Sequence, residues 1–252
     1  MDEAARPGRD SAFYWTAEVW PGLRVAFTST GAGNLGLRVG GDPERARRNR
    51  GALEAVMGVD PGHLHFMNQT HSDRVVLLQG PRAGAPDADA MISGSGSEPL
   101  AVLVADCVPI VLADTAATDR TGAATGATAV VHAGRAGVGN GIVQSAVQAL
   151  RRHGARELSA WIGPSVCGSC YEVPEDMVRE IADVIPEARS RTRAGTPALD
   201  LPAAVRRQLE DLSVSVVQVE GSGVPCTLEN PGLFSHRREP GAGRIAGLVW
   251  RT

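Results

Sequence analysis

Short apolar runs rich in Val, Ile, Leu and Ala recur along the chain between Gly, Pro, Asp and Ser. Runs of this kind are typical of strands that are buried on both faces. Some follow each other without a helical pattern between them, as 100–105 and 110–113 do, which predicts antiparallel neighbours. The runs predict strands over 25–28, 75–79, 100–105, 110–113, 128–132, 158–162, 214–219 and 245–250.

Four segments carry apolar residues at helical spacing. The first begins after Asp42, a helix N-cap residue followed by Pro43, and ends at Gly58. Because helices and strands do not alternate strictly, the pattern favours an α+β fold, a single layered domain with mixed β-sheets flanked by helices. The predicted helices are 43–57, 137–153, 174–185 and 201–212.

The composition is that of a globular protein that acts on small molecules. The 252 residues carry a formal net charge of −3, with 43% hydrophobic and 21% charged residues. A charge so close to zero argues against electrostatic binding of nucleic acid or of an acidic membrane surface. All 25 basic residues are Arg, which excludes a Schiff-base lysine, a pyridoxal lysine and a P-loop lysine.

The ends and loops of the chain predict its organisation. We expect a disordered tail over 1–12, a single catalytic domain over 13–252 and a loop insertion over the Thr/Ala/Gly-rich segment 114–128. No segment resembles a secretory signal or reaches the roughly 18 apolar residues of a membrane span, so we expect a cytoplasmic protein. Four cysteines are too few for a disulfide framework in a chain of this length.

Two familiar motifs are weak in this sequence. Gly-Ala-Gly-Asn-Leu-Gly at 31–36 has dinucleotide-binding spacing, but the glycines and proline that follow leave no helix to meet a pyrophosphate. We interpret it as a surface turn. Cys167 and Cys170 have redox spacing without a helix opening at the first cysteine, and we interpret them as two packed thiols in a turn. A Cys₄ zinc site would need a second pair, and Cys226 stands alone in the sequence.

His71, Cys107 and His132 form a more informative set. Each lies beside turn residues and next to an apolar run. Catalytic metal sites draw three ligands from separate strand ends and leave one position for water or substrate. The spacing alone leaves open that these are an unrelated buried cysteine and two hydrogen-bonded histidines.

Six ordered motifs run from about residue 27 to residue 250 and include this trio. They are Asn68-Gln-Thr-His-Ser-Asp-Arg-Val, Ala105-Asp-Cys-Val-Pro-Ile-Val-Leu-Ala-Asp, His132-Ala-Gly-Arg, Ile162-Gly-Pro with Cys170-Tyr-Glu-Val, Leu199-Asp-Leu with Gln208-Leu, and Cys226-Thr with Phe234-Ser-His-Arg-Arg and Gly243-Arg. Together they resemble the YfiH family, also called laccase-domain or polyphenol oxidase proteins. One departure is that the family usually has His-Ala-Gly-Trp-Arg-Gly, whereas Arg135 directly follows His-Ala-Gly here.

The resemblance implies a fold similar to the cytotoxic necrotizing factor catalytic domain and a zinc ion held by His71, Cys107 and His132. It also implies a purine nucleoside phosphorylase, which converts inosine, adenosine, guanosine or methylthioadenosine and phosphate to the free base and a ribose-1-phosphate. Adenosine deaminase activity is implied as a side activity, and copper is the alternative metal. The implied partners are purine nucleosides and phosphate, with no nucleic acid and no membrane.

Phosphorolysis requires residues that hold phosphate and stabilise the charge that develops on the departing base. Guanidinium groups near the Gly/Pro turn at 240–243 match phosphate oxygens, while the remaining substrate contacts follow from motif position. Asp106 lies beside the ligand Cys107, and we predict that it transfers a proton or orients that ligand. The predicted substrate-binding residues are Asn68, Gln69, His236, Arg237, Arg238 and Arg244.

Three alternative functions stay open at this point. Cys107 could be a thiolate nucleophile with His132 or His71 as its base, in an amidase acting on peptidoglycan precursors. A copper-dependent polyphenol oxidase is the second, although one His/Cys/His set offers too few ligands for several copper ions. The third is a non-catalytic binding subunit, against which the intact ligand trio argues. The sequence predicts no oligomeric state.

Overall fold

Two β-sheets packed face to face form the centre of the molecule. The computed structural model describes residues 11–78, 84–116, 118, 122, 126–219 and 224–252. The strands are β1 (Phe13–Trp20), β2 (Leu23–Thr28), β3 (His65–Phe66), β4 (Val75–Leu78), β5 (Ala90–Ser93), β6 (Leu100–Val104), β7 (Val108–Asp114), β8 (Thr128–Ala133), β9 (Leu158–Ile162), β10 (Arg189–Arg191), β11 (Pro197–Leu199), β12 (Ser215–Val217) and β13 (Ile245–Arg251). The helices are α1 (Pro43–Met57), α2 (Arg135–Asn140), α3 (Ile142–Arg152), α4 (Glu175–Ala182) and α5 (Leu201–Asp211).

The larger sheet has the order β12-β9-β7-β8-β5-β4, and the second sheet has the order β1-β2-β13-β6-β3. Most neighbours are antiparallel, and the parallel pairs are β12 with β9, β4 with β5, and β3 with β6. Strands β10 and β11 form a separate two-stranded sheet. The α+β class with mixed sheets is therefore confirmed.

The larger sheet lies between two hydrophobic cores, and successive side chains of its strands point alternately into one core and the other. In β7, Ile110 and Leu112 pack with the apolar faces of α3 and α5, whereas Val111 points into the space between the sheets. This period of two explains why the strand is apolar throughout, because both of its faces are buried. On the outer face of the second sheet, Leu53 and Met57 of α1 pack on β13. The layers follow the order helix, sheet, sheet, helices.

Local signals account for the helix ends. Asp42 accepts a hydrogen bond from the Arg45 amide at 3.0 Å, and Gly58 ends α1 in the left-handed conformation at φ 69°. The predicted helix 137–153 is instead two helices, since Gly141 has φ 87° and separates α2 from α3. That correction follows from glycine's access to a conformation that ends a helix.

The other expectations are met in part. Among the described residues, β1, β3, β5, β10 and β11 were not predicted. As expected, no α-helix follows the segment 31–36 before α1, but the segment is not a simple surface turn. It starts in a 3-10 helix (Thr30–Ala32) and continues as a loop in which Leu35 is buried. Residues 1–10 of the predicted tail, residue 79 and much of the predicted loop 114–128 lie outside the described residues. No helix in the described part of the chain is long and apolar enough to span a bilayer.

Candidate metal centre and its cavity

The structure brings the three predicted ligands together. The ligand atoms of His71, Cys107 and His132 all lie within 4.8 Å of one another, and Cys107 Sγ is 4.0 Å from His71 Nε2. The two imidazole rings meet edge to face, with centroids 4.8 Å apart. The trio thus converges on one small volume.

Strand register and two strained loops create this convergence. Pro109 pairs with His132 across β7 and β8, which places His132 beside the loop that carries Cys107. That loop turns at Asp106, which has φ 89°, and His71 has φ 60°. Positive φ is uncommon outside glycine and is retained where surrounding contacts hold it. Both ligand loops are therefore held in fixed, costly conformations.

Asp89 forms hydrogen bonds to two of the three predicted ligands, although sequence analysis did not identify it. Its carboxylate is 0% exposed, and its Oδ1 accepts from the His71 amide at 3.0 Å and meets His132 Nδ1 at 2.8 Å. Its Oδ2 accepts from the amides and hydroxyls of Thr70 and Ser72. A carboxylate bonded to His132 Nδ1 leaves Nε2 free to act as a ligand.

The electrostatics of the trio favour ligand ionisation. Burial opposes ionisation of the Cys107 thiol, but the adjacent His132 and His71 outweigh it and lower the pKa of Cys107. Burial likewise opposes the charge of His132, but Cys107 and Asp89 raise the pKa of His132. Hydrogen bonds from His132 and Ser72 outweigh burial and hold the pKa of Asp89 well below its usual range. The thiolate needed by a metal ion is thus favoured.

The residues present fit a metal ion such as zinc. With Zn–N about 2.1 Å and Zn–S about 2.3 Å, tetrahedral ligands lie about 3.6 Å apart. The 4.0 Å between Cys107 Sγ and His71 Nε2 is close to that spacing. Two imidazoles and one thiolate also leave one coordination position for another group. Gly134 leaves room for the trio, since a Cβ there would lie 2.9 Å from the His71 ring.

A cavity of about 880 Å³ opens above the trio. Its volume is within the range of roughly 300–1,000 Å³ that is usual for small-molecule sites. The cavity is rich in arginines and carries further polar side chains at its wall. Besides the trio, the polar and aromatic lining residues include Arg38, Arg50, Phe66, Asn68, Gln69, Asp87, Asp106, Tyr171, His236, Arg237 and Arg244.

The predicted arginines separate into two groups. Arg237 and Arg244 line the cavity, with the Arg237 guanidinium 4.4 Å from the centre of the Tyr171 ring. Burial lowers the pKa of Arg244, so this partly desolvated cation gains from an anionic ligand. Arg238 instead donates to the carbonyl oxygens of a neighbouring loop. Arg135 forms an ion pair with Glu180 at 2.9 Å and is not among the lining residues, although its charge acts on the Tyr171 side chain.

Other predicted contacts already have protein partners. Gln69 donates to the Leu103 carbonyl at 2.6 Å and accepts from the Leu103 amide at 2.8 Å, so its side chain fixes its loop to β6. Asn68 donates to Asp87 at the cavity rim. Asp106 accepts from the Thr227 hydroxyl at 2.7 Å and from the Arg237 amide at 2.8 Å. Its carboxylate therefore joins the Cys107 loop to the Arg237 loop.

Sequence analysis missed several residues of this region. Asp89 precedes β5, a strand that was not predicted, so nothing in the sequence indicated its contacts with His71 and His132. Tyr171 lies in a quoted motif but was given no role, and Arg50 belongs to a helix whose pattern indicated only packing. Cys226 does not stand alone in space, because its sulfur lies with those of Cys167 and Cys170.

The sequence is similar to a known protein family and to curated proteins. Residues 25–252 match the family described as multi-copper polyphenol oxidoreductase laccase. A Mycobacterium tuberculosis protein named purine nucleoside phosphorylase is 43% identical over 86% of this chain and 84% of its own length. A Streptomyces griseus protein of the same name is 40% identical over 97% of this chain and 96% of its own length.

Solved structures share the fold. Neisseria meningitidis protein NMB0706 is 30% identical, with a TM-score of 0.79 over 96% of this chain and 99% of that protein. YlmD from Geobacillus stearothermophilus is 26% identical, with a TM-score of 0.78 over 93% of this chain and 94% of that protein. Bacillus licheniformis YfiH, at 24% identity and a TM-score of 0.78, covers 91% of this chain and 93% of its own and shares the fold.

Proposed function

The chain belongs to the multi-copper polyphenol oxidoreductase laccase family, and we propose that it is a zinc-dependent purine nucleoside phosphorylase. The observation that carries this proposal is that one cavity is lined by both the His71–Cys107–His132 trio and several arginines. The curated relatives named purine nucleoside phosphorylase, at 40–43% identity, support it. The substrates are inosine, adenosine, guanosine and methylthioadenosine together with phosphate.

His71, Cys107 and His132 hold the metal ion in this proposal. When bound, zinc supplies a Lewis acid that stabilises developing negative charge and can acidify a water molecule, the chemistry that an adenosine deaminase side activity also needs. Asp89 keeps His132 in the tautomer whose Nε2 is free. Copper is the alternative ion, and metal analysis separates the two.

Phosphate is held by Arg237 and Arg244. An oxygen of hydrogen phosphate forms the bond to C1′ as the bond from C1′ to the purine nitrogen breaks, and the phosphate proton goes to the departing base. Two guanidiniums suit this role because they bind phosphate oxygens through paired N–H groups. Tyr171 lies against the Arg237 guanidinium and restricts its orientation.

Asp106 is a positioning residue in this proposal. Both of its oxygens accept protein hydrogen bonds, one from Thr227 and one from the Arg237 backbone. It therefore fixes the distance between the Cys107 loop and the phosphate-binding Arg237. Gln69 has a similar positioning role, since its amide is paired with Leu103.

The nucleoside is recognised by other residues that line the cavity. Asn68, Asp87 and His236 line the cavity and offer donors and acceptors to a base or ribose. Arg50 is fixed over the Phe66 ring, 3.6 Å from its centre, and donates to the Leu35 carbonyl. Together these residues offer apolar surface for a base and polar groups for its edges, as small-molecule sites usually do.

We expect the purified protein to contain about one zinc ion in the His71–Cys107–His132 trio and to release hypoxanthine from inosine only when phosphate is present. The product is then ribose-1-phosphate, and a chelator abolishes the reaction. Chromatography of the products with and without phosphate checks this. Base release that is equal without phosphate, with free ribose as product, would identify a hydrolase and overturn the proposal.

Replacing Arg237 or Arg244 with Gln should raise the KM for phosphate by about 10-fold or more, because a lost charged hydrogen bond costs about 1.5–3 kcal/mol. The KM for inosine should change less, since the substitution leaves the residues assigned to the nucleoside unchanged. Steady-state kinetics with each substrate varied in turn measures both. Arg207→Gln is the matched control, because Arg207 pairs with Asp211 on α5, outside the cavity lining. Equal effects at all three positions would count against the assignment.

A cysteine amidase acting on peptidoglycan precursors is the second candidate, and one observation favours it. Cys107, His132 and Asp89 form a chain in which a thiol with lowered pKa contacts an imidazole that a carboxylate orients. Nucleophile, base and orienting group occur in this order in cysteine hydrolases. In that mechanism His71 is dispensable, and this difference provides a test.

A further inference from the structure

We propose that this chain carries a second metal site, separate from the cavity, in which Cys167, Cys170 and Cys226 bind a zinc ion. The ligand atoms of the three cysteines and of Glu229 all lie within 4.8 Å of one another. Three thiolates with a carboxylate or water as the fourth donor form a closed, tetrahedral set that suits zinc. The proposal does not depend on the function of the cavity.

Two segments that are far apart in sequence form this cluster. Ser165 and Cys226 form a parallel bridge, in which the Ser165 amide donates to the Pro225 carbonyl and the Thr227 amide donates to the Ser165 carbonyl. The chain then turns after Cys167, whose carbonyl accepts from the Cys170 and Tyr171 amides at 2.9 and 3.0 Å. This turn directs Cys170 back toward Cys226. The backbone therefore holds all three thiols together without a metal.

Backbone donors are directed at the sulfurs. The Cys167 amide donates to Cys226 Sγ at 3.4 Å, and the Ser169 amide donates to Cys167 Sγ. Such N–H donors stabilise negative charge on sulfur, which a metal-bound thiolate carries. A bound zinc ion displaces three thiol protons to solvent, so the cluster goes from three neutral thiols to three thiolates around a divalent cation.

A redox role fits the cluster less well. Reactive CxxC pairs contain a thiol with a lowered pKa, usually at a helix N-terminus. Here no helix begins at the pair, and the nearest helix, α4, starts only at Glu175. A disulfide would also use two of the three sulfurs and leave the third without a partner.

Glu229 is the available fourth donor. Its carboxylate is exposed at the edge of the cluster and forms an ion pair with Arg193. Three thiolates and one carboxylate carry more negative charge than a divalent ion balances, and Arg193 offsets part of the excess. Because the pair is exposed, its ion-pair energy is small enough for Glu229 to reorient toward a metal.

The cluster lies where it can stabilise the wall of the cavity. Both of its segments form hydrogen bonds to Asp106 in the Cys107 loop. The Val166 amide donates to the Asp106 carbonyl, and the Thr227 hydroxyl donates to the Asp106 carboxylate. Tyr171, which contacts Arg237, directly follows Cys170. A metal ion that joins these segments would fix Asp106 and Tyr171 relative to each other.

Metal counting in the full-length protein, purified under reductant and without chelator, tests the proposal. We expect about two zinc ions per wild-type chain and about one in either Cys170→Ser or Cys226→Ser. Cys107→Ser is the matched variant, because it removes one ligand of the other site and should also retain about one ion. Glu229→Gln should keep both ions, since three thiolates remain, but bind the second more weakly.

Cobalt provides a second measurement that needs no variant and so does not depend on variant folding. Titrating the metal-free wild type with Co²⁺ should produce two binding steps, because the two sites differ in their thiolates. Thiolate-to-cobalt absorption should be about three times stronger at the three-cysteine site than at the trio, which has one.

Three results would overturn the second site. The first is a single ion in the wild type that disappears in Cys107→Ser. The second is a single cobalt step with the absorption of one thiolate. The third is a disulfide among Cys167, Cys170 and Cys226 that persists under reductant in peptide mass spectrometry.

Discussion

Replacing His71 with Asn is expected to remove zinc from the trio and to lower kcat/KM for inosine by more than about 100-fold. Outer-shell partners of a metal cost up to about 100-fold, so a direct ligand should cost more. Asn suits this position, because the backbone at His71 has φ 60° and Asn tolerates that conformation better than Ala. The His71 side chain is also exposed, so its removal leaves little unfilled volume in the core. Metal analysis and phosphorolysis kinetics on the same preparation measure the effect.

The same variant separates the two candidate functions. The amidase mechanism uses Cys107, His132 and Asp89, so His71→Asn should leave amide hydrolysis and thiol alkylation largely intact. In the phosphorylase, the variant should lose activity while Cys107 becomes more reactive toward an alkylating agent, since the metal no longer covers it. His236→Asn is the matched control, because His236 lines the cavity outside the trio and the metal should remain. Full zinc content and full phosphorolysis in His71→Asn would show that His71 is not a ligand.

The parts of the site that sequence analysis identified are those fixed by short-range pattern. Cys107 and His132 lie next to apolar runs that form β7 and β8, so antiparallel pairing of those runs brings the two side chains near each other. The helix ends at Asp42 and Gly58 were predicted for the same reason, since capping depends on adjacent residues. The family motifs then connected His71 to the same centre.

The parts that were missed depend on contacts between distant segments. Asp89 precedes β5, a short run, and its partners come from the 70–72 loop and from His132. Cys226 meets Cys167 only because Ser165 forms a bridge to the Cys226 segment. Gln69, predicted to contact substrate, lines the cavity, and the pairing of its amide with Leu103, 34 residues further along the chain, was not predicted. No local pattern encodes such partners, because they follow from sheet order and loop packing.

Replacing Asp89 with Asn should lower zinc affinity by about 10–100-fold and destabilise the fold by about 1–3 kcal/mol. Each Asp89 oxygen faces donors only, so an Asn amide nitrogen would face either His71 N–H and His132 or the donors of Thr70 and Ser72. If it faces His132, the imidazole must place its proton on Nε2, the ligand nitrogen, to accept at Nδ1. Zinc competition with a chelator and urea unfolding of the metal-free protein measure the two effects.

The stability that the Asp89 carboxylate contributes should depend on pH. Because the folded pKa of Asp89 is held below its unfolded value, the carboxylate contributes its full stability above the unfolded pKa of about 4 and loses it as pH falls toward the folded pKa. Asp89 also raises the pKa of His132, and this contribution is complete only below the unfolded His pKa of about 6.5. The stability difference between wild type and Asp89→Asn should therefore be largest between about pH 5 and 6 and shrink below about pH 4. Asp73→Asn is the matched control, since Asp73 is exposed and should change stability by less than about 0.5 kcal/mol. A difference that is constant from pH 7 to pH 3 would mean that the changed hydrogen bonding, and not the Asp89 charge, accounts for the loss of stability.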